Sequence, residues 1–584
     1  MTIQEVFCPF DIIDKKGFDF QDIVCSLDSL DESEALKPEY LYERVAFSLQ
    51  PQHDVNPWGN FYFGPQITYS DNDGNLYYIP SFEQISQGAL LHWEMRYKEV
   101  VNPLLKMRYA ALVWDYKKLI TGKSYDSDLY QIFTNSMLVV CNGDYLSHPI
   151  LTVNVLERLF DVTRRQPAEL QKVKQAYIDF EMRYPEDDAV RIWSSRFQQM
   201  LKHKKSFTSD EIATIVLEHE KRLERLSSPK GNNRINPWVV EKQAILLADY
   251  YKTISRLDNI KRVFSVVEQA FHKESINMSS LQLVGNLENI QHYYSKYNLY
   301  EEAKRMMMDI QQMGSKVIQE LTPHTYEYKI PQEIYEQADI MFGNKATSDE
   351  ERWNNFVVYF IPYRSKEMIK MKELAKKYPL KFMTATNLLD AKGRPMSIIK
   401  PIDVDPESNL ALHITQKLNH EAHFLGIAID KLISAKAFST EKIMNNIISK
   451  SPIFEEERYK IISDALDFFF EKKYVLFCHL IVPQIENATC NIVEMGGGCV
   501  LRVQKSDKGF QLKTLDELLR EKPIINSITE DGSYYLRLVL TNQIGLNIRN
   551  LICHGILPAE YFGYETANRL LHVLILLGMI KKES

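Results

Sequence analysis

The 584-residue chain predicts a mostly α, multi-domain helical protein with a small β-hairpin near the N-terminus and a C-terminal helical bundle. Three features lead there. Apolar residues recur at helical spacing through most of the chain, as in Leu104 to Leu119 and Val153 to Val162. Only one early stretch, about 60–80, has the aromatic and β-branched text of paired strands. Two loop-forming stretches, Ser227–Pro237 and Asp390–Asn409, divide the text into regions 1–226, 238–390 and 410–584.

Composition bounds the function. Hydrophobic residues make up 45% and charged residues 25%, ordinary values for a globular protein, which exclude a disordered chain. With 70 Lys plus Arg against 77 Asp plus Glu, the net charge is -7. That balance argues against a general polyanion-binding surface but leaves room for a local basic pocket. The cysteines Cys8, Cys25, Cys141, Cys478, Cys490, Cys499 and Cys553 are dispersed without a CxxC pair, so no zinc knuckle or disulfide framework is expected. The N-terminal text lacks the basic and apolar regions of a secretory signal. The longest apolar run, Leu570 to Ile580, is far short of the ~20 residues a membrane span needs. The expectation is a cytoplasmic protein with no membrane association.

Taken in order, Glu39 to Ser48 reads as a helix. Asn60 to Tyr69 and Leu76 to Ile79 flank Asp71-Asn72-Asp73-Gly74-Asn75 and read as a hairpin. The turn resembles the start of a calcium loop, but loop position 12 is Phe82, so a hairpin turn is the better reading. Residues 90 to 226 are helical, and Thr208-Ser209-Asp210-Glu211 forms a capping box. Lys202-His203-Lys204-Lys205 reads as a solvated helix end. Two candidate helix pairs follow: Val239 to Thr253 with Leu257 to Ala270, and Ser279 to Tyr297 with Tyr300 to Ile318. They resemble tetratricopeptide-type repeats without a strict period of about 34 residues. Such repeats make concave surfaces that would suit a protein partner or a sensor ligand, and the alternative is helices that simply pack on one another.

Leu410 to Ser434 reads as one helix carrying His413, His420 and His423. His420-Glu421-Ala422-His423 lacks the spacing of HExxH and has no obvious third ligand, so no metal and no cofactor is expected. Helices follow at about 440–450, 455–472 and 474–495, the last kinked by Pro483 and ended by Gly496-Gly497-Gly498. Cys499 to Gln504 and Phe510 to Lys513 suggest a second hairpin around Ser506-Asp507-Lys508-Gly509. Leu515 to Arg520 and Gly532 to Thr541 are helical again. The helix opened by Glu565 is apolar nearly all round and must be buried, in the core or in a subunit interface.

Between these last elements lies Arg549-Asn550-Leu551-Ile552-Cys553-His554-Gly555. Asn550 and His554 are four apart and share a helical face, with Arg549 on its flank. A permanent cation, an amide and an imidazole suit a phosphate group. The plainer alternative is a helix end whose Arg and His bond nearby carbonyls. Gly545 should break the preceding helix, Asn547 should cap the motif helix, Cys553 should pack, and the helix should stop near Gly555 with Pro558 beyond.

The run matches RNxxxHG, similar to the signature of a bacterial and eukaryotic family of unknown function, and Ile481-Val482-Pro483-Gln484-Ile485-Glu486 resembles that family's preceding segment. The motif is a form of Rx4–6H, the mark of the HEPN superfamily (higher eukaryotes and prokaryotes nucleotide-binding). The resemblance covers about 450–584. It implies a small helical bundle, often dimeric, and a metal-independent endoribonuclease of the kind found in toxin, CRISPR and antiphage defence systems. RNA would be the substrate, and a homodimer through the C-terminal bundle would bring two motifs together. His554 would move a proton to or from the 2′-OH or the leaving 5′-oxygen, Arg549 would stabilise the phosphorane-like charge, and Asn550 would orient the phosphate or the histidine. Glu486 would pair with Arg549 from the facing helix, or else be a surface or structural carboxylate. The long N-terminal part would sense, restrain or position the nuclease. The alternative from another class is a non-catalytic helical scaffold or nucleotide-binding protein.

Overall fold

Twenty-eight α-helices and four two-stranded antiparallel sheets make up the described residues. This is a computed structural model that describes residues 2–52, 56–71, 75–122, 127–228, 234–322, 330–346, 348–503 and 509–581. The chain divides into two compact units, Met1–Asp309 and Ile310–Ser584. The sequence break at 227–237 therefore lies inside the first unit and that at 390–409 inside the second. Among the described residues no helix is long and apolar enough to cross a membrane.

Local chemistry accounts for much of the first unit. Asn102 accepts the backbone N–H of Leu104 at 2.9 Å, and Pro103 supplies the preset φ of a first helical residue, so Pro103–Thr121 begins where it does. The Thr208 box forms, with Thr208 N–H on Glu211 Oε2 at 2.8 Å and Glu211 N–H on Thr208 Oγ1 at 3.2 Å. The core is aromatic: Phe47, Trp93, Tyr109, Tyr116 and Phe133 are all essentially inaccessible. Gln87–Glu99 packs on Pro103–Thr121, which packs on Ser127–Gly143.

The early strand text splits in two. Ile67–Ser70 pairs with Leu76–Ile79 in the expected hairpin, but Phe63–Gly64 pairs backwards with Gln50–Pro51. Pro65 lies between the two pairings, and it has no N–H to carry a ladder onward. The turn residues Asn72, Asp73 and Gly74 fall outside the described residues, as do residues 229–233 of the Ser227–Pro237 stretch. Pro237–Thr253 and Leu257–Glu274 form a tight helical pair, on which Ser280–Lys296 packs. Ser255 and Asn298 both take left-handed φ, at +55° and +62°, where the helices reverse. At both turns an N–H reaches the carbonyl five residues back, Arg256 to Tyr251 and Leu299 to Tyr294, which closes a helix C-terminus.

The second unit is built round Tyr474–Met495, Lys522–Leu540 and Tyr564–Gly578. Every residue from Ala567 to Gly578 is buried, so the last apolar helix is a core element of a single chain. Three expectations need correction here. Leu410 to Ser434 is two helices, Pro406–His420 and Ala422–Ser434, parted at Glu421. The first packs on Arg364–Lys377, the second on Gln332–Phe342 and on Tyr564–Gly578, and one straight rod could not serve both. The helix expected from Gly532 is present, but an unexpected helical segment from Lys522 precedes it; Thr529 (φ 68°, ψ 167°) separates the two, and its Oγ1 caps the second by accepting Gly532 N–H at 3.2 Å. The 390–409 stretch is not all linker. Thr386–Leu389 pairs with Pro395–Ile399, and Asp390 Oδ1 closes the turn on the N–H groups of Lys392 and Arg394, both at 2.9 Å. Tyr474–Met495 continues past Pro483 and ends at Gly496. Leu501–Val503 pairs with Phe510–Leu512; Gln504 to Lys508, which hold most of the expected turn, are outside the described residues.

Candidate functional site

The RNxxxHG run lies on a six-residue helix, Ile548–Cys553, pinned by two buried residues four apart, Ile548 and Ile552. Its approach is set by backbone. Lys522–Leu540 ends, Leu546 N–H returns to Leu538 O at 2.7 Å, and Gly545 lies against that same residue. A Cβ on Gly545 would come within 2.1 Å of the Leu538 carbonyl oxygen, so only glycine permits the approach. Asn547 follows in the left-handed region (φ 53°, ψ 27°).

Asn547 does not cap the helix with its side chain, contrary to the sequence expectation. In a left-handed backbone its side chain points elsewhere: Oδ1 accepts from Asn550 Nδ2 at 2.8 Å. Asn550 Nδ2 also donates to the Thr541 carbonyl at 3.2 Å, while its Oδ1 accepts from Arg549 Nη1 at 3.1 Å. Both ends of the amide are thus held by protein.

Arg549 meets Glu486 side-on. Its Nε and Nη2 each donate to a carboxylate oxygen at 3.0 Å, the two-pronged geometry that planar guanidinium and carboxylate groups favour. The pair is about a quarter exposed, 24% for the arginine side chain and 28% for the glutamate. Beyond Asn550 the network continues, because Thr541 Oγ1 donates to Asp516 Oδ1 at 3.1 Å. Asp516 also takes Arg520 Nε at 2.8 Å and Arg537 Nε at 3.2 Å. Burial raises the Asp516 pKa, but these arginines outweigh it and hold the carboxyl below the usual aspartate range.

His554 is the C-cap of the helix and is exposed. Gly555 (φ +63°) and Ile556 close the end, their N–H groups reaching Ile552 O at 3.0 Å and Leu551 O at 2.8 Å. The imidazole makes no hydrogen bond among the described residues, so it stands outside the Glu486–Arg549–Asn550–Asn547 chain. Cys553 is exposed rather than packed. The structure therefore joins four of the five residues singled out by sequence and leaves His554 free towards solvent.

Sequence reading missed two features. Asp516 and the Thr541 carbonyl support Asn550, and carbonyls leave no trace in a residue pattern. His479, seven residues before Glu486 and so on the same helical face, stacks on Phe562 at 5.1 Å between ring centroids. The spacing of His479 and Glu486 was the available signal. The histidines at 413 and 423 have partners: His413 Nε2 lies 3.2 Å from Glu367 and His423 Nδ1 lies 3.1 Å from the Tyr564 hydroxyl. Among the described residues no group of three His, Cys, Asp or Glu side chains is placed to hold a metal. No family model, curated protein or solved structure matches the chain.

Proposed function

We propose that the second unit is a metal-independent endoribonuclease that acts through Arg549, Asn550 and His554, regulated by the long N-terminal part and working as a homodimer. The observation that supports this reading is a free, exposed imidazole one residue beyond a helix whose Arg549 is already oriented as a two-pronged donor. RNA brings its own nucleophile. The 2′-oxygen attacks the adjacent phosphorus, the bond to the 5′-oxygen breaks, and the products are a 2′,3′-cyclic phosphate and a 5′-hydroxyl. One proton leaves the 2′-OH and one reaches the 5′-oxygen, and His554 carries one of these transfers. Arg549 stabilises the added phosphoryl charge, exchanging one of its Glu486 contacts for a phosphate oxygen. Asn550 holds the guanidinium in plane, and Glu486 and Asn547 hold the pair of them.

The test is RNA cleavage by the purified full chain with EDTA present. Wild type should leave cyclic-phosphate ends, and His554→Ala should lose about 10²–10⁴-fold of the rate, the usual worth of a positioned acid or base. Equal cleavage by the alanine variant would remove His554 from the site, and no cleavage of any RNA by wild type would remove the reading.

The second reading, a non-catalytic scaffold, draws on the protein partners that Asn550 and Arg549 already hold. On that reading His554→Ala changes nothing, while Arg549→Ala loosens the 541–555 segment.

A further inference from the structure

The first unit holds a cavity of about 210 Å³ between Pro103–Thr121, Ser127–Gly143 and Pro149–Thr163, closed by Phe20 and Phe63. Its wall is mainly apolar, with Leu104, Phe133 and Met137 prominent, yet it contains two arginines, Arg108 and Arg158.

Arg108 is 3% exposed. Its Nε donates to the Ala46 carbonyl at 2.6 Å and its Nη2 to the Leu49 carbonyl. The rings of Phe20 and Phe63 lie 5.0 and 4.6 Å from the guanidinium carbon. Among the described residues no carboxylate pairs with it, and Nη1 has no hydrogen-bond partner. Two charge-assisted bonds and two cation–π contacts hold the buried guanidinium in place. They do not neutralise it. Burial pushes its pKa down to about 10, so the group stays charged at neutral pH.

Arg158 is held loosely. Its Nη2 is 3.4 Å from Asp115, its guanidinium stacks over Tyr62 at 4.5 Å, and its buried Nε has no hydrogen-bond partner. The wall's carboxylate, Asp19, is exposed and already occupied in capping Phe20–Asp28, taking Gln21 N–H at 3.0 Å. The cavity thus combines apolar surface, unspent positive charge and free guanidinium donors.

We propose that this cavity binds a small organic monocarboxylate, its carboxylate on Arg108 and Arg158 and its apolar body among Phe20, Phe63, Phe133 and Met137. A carboxylate matches the planar guanidinium donors, and a single negative charge balances Arg108. Size agrees: a cavity of about 150 Å³ accepts benzene, so this one suits a single ring or a chain of about six to eight carbons. A bare inorganic anion would leave the apolar wall unfilled.

The experiment is calorimetric titration of the full chain with phenylacetate and octanoate, against phenylacetamide and octanamide as neutral counterparts and inorganic phosphate as a bare anion. At least one acid should saturate a single site and bind ten-fold or more tightly than its own amide and than phosphate. Arg158→Met should weaken it at least ten-fold, and Ala111→Leu, which extends a side chain into the cavity while keeping both arginines, should abolish it. Failure of both acids to saturate overturns the proposal. So does an amide or phosphate that binds as well as the acid, or binding that survives Ala111→Leu in a folded variant. Comparison of acid with amide uses the unaltered chain, so it decides even where a variant does not fold.

Discussion

Arg549 and Arg108, one in each unit, show two ways in which a protein holds a guanidinium. Arg549 is about a quarter exposed and lies side-on against Glu486, so its charge is balanced at rest. Arg108 is almost inaccessible and is held by two carbonyls and two ring faces, with no carboxylate beside it. Sequence pointed to Arg549, which lies in a motif, yet the uncompensated charge belongs to Arg108, which lies in a helix that the sequence marks only by its apolar periodicity. A motif locates a cation, whereas its partners decide whether it is available. For Arg549 a phosphate must compete with Glu486; for Arg108 an incoming anion has no protein competitor.

That contrast can be broken at three places. The largest stability effect should come from Arg108→Ala, which leaves the Ala46 and Leu49 carbonyls without their donors and empties the space between the rings. At about 1–3 kcal/mol for each orphaned buried acceptor, the first unit should lose about 3 kcal/mol, read as faster hydrogen exchange across 45–50 and 104–121. Unchanged exchange would mean that the carbonyls find other donors, and the special standing of Arg108 would go.

Next comes pH, where the two units should differ. Each buries a neutral histidine: His219 beside Gln243 in the first, His572 between Tyr535 and the Phe356 carbonyl in the second. Burial first, then a nearby arginine, pushes each down to about 3. The unfolded chain takes up these protons as pH falls through about 6.5, and the folded chain does so only near 3. The contribution of each histidine is therefore complete above about pH 6.5 and declines below it. At pH 5 His572 should cost the second unit about 2 kcal/mol, from 1.5 pKa units at 1.36 kcal/mol each. In the first unit Glu181, pushed up to about 7 by burial beside the same Arg222 that faces His219, adds stability over the same fall and offsets the histidine. Urea unfolding at pH 7 and 5 checks this, and His572→Leu should flatten the slope in the second unit alone. Equal slopes in wild type and variant would exclude His572 as the cause.

The smallest effect should be Glu486→Gln. The pair is partly solvated, so its loss should cost about 1 kcal/mol, seen as roughly five-fold faster exchange confined to 545–555. A loss as large as that for Arg108→Ala would make Arg549 a buried structural ion and would favour the scaffold reading.

Much of the helical text was legible because it is local. The Thr208–Glu211 box, the close at Gly555 and the burial of Leu570 to Leu577 each depend on residues a few positions apart or on one-sided composition. The misreadings have a common cause. Leu410 to Ser434 has continuous helical periodicity, but its halves bury against different neighbours. Asn547 has the composition of a cap, but Gly545 pressed on Leu538 puts it in a left-handed backbone, and its side chain turns to Asn550. Of the site, sequence showed which residues were chemical and suggested that Glu486 meets Arg549. It could not show that Asn550 is saturated or that His554 is free.

By itself, then, the sequence determined the mostly helical class, the helix ends with capping or glycine signals, and the short run in which Arg549, Asn550 and His554 sit together. Those follow from bonds that span three to five residues. Only the tertiary structure decided which cations are paired: Arg549 meets a carboxylate 63 positions away, and Arg108 meets carbonyls 62 and 59 positions away. A buried charge takes its properties from the groups around it. Those groups come from distant parts of the chain, and carbonyls and ring faces carry no signature of the cation they will hold.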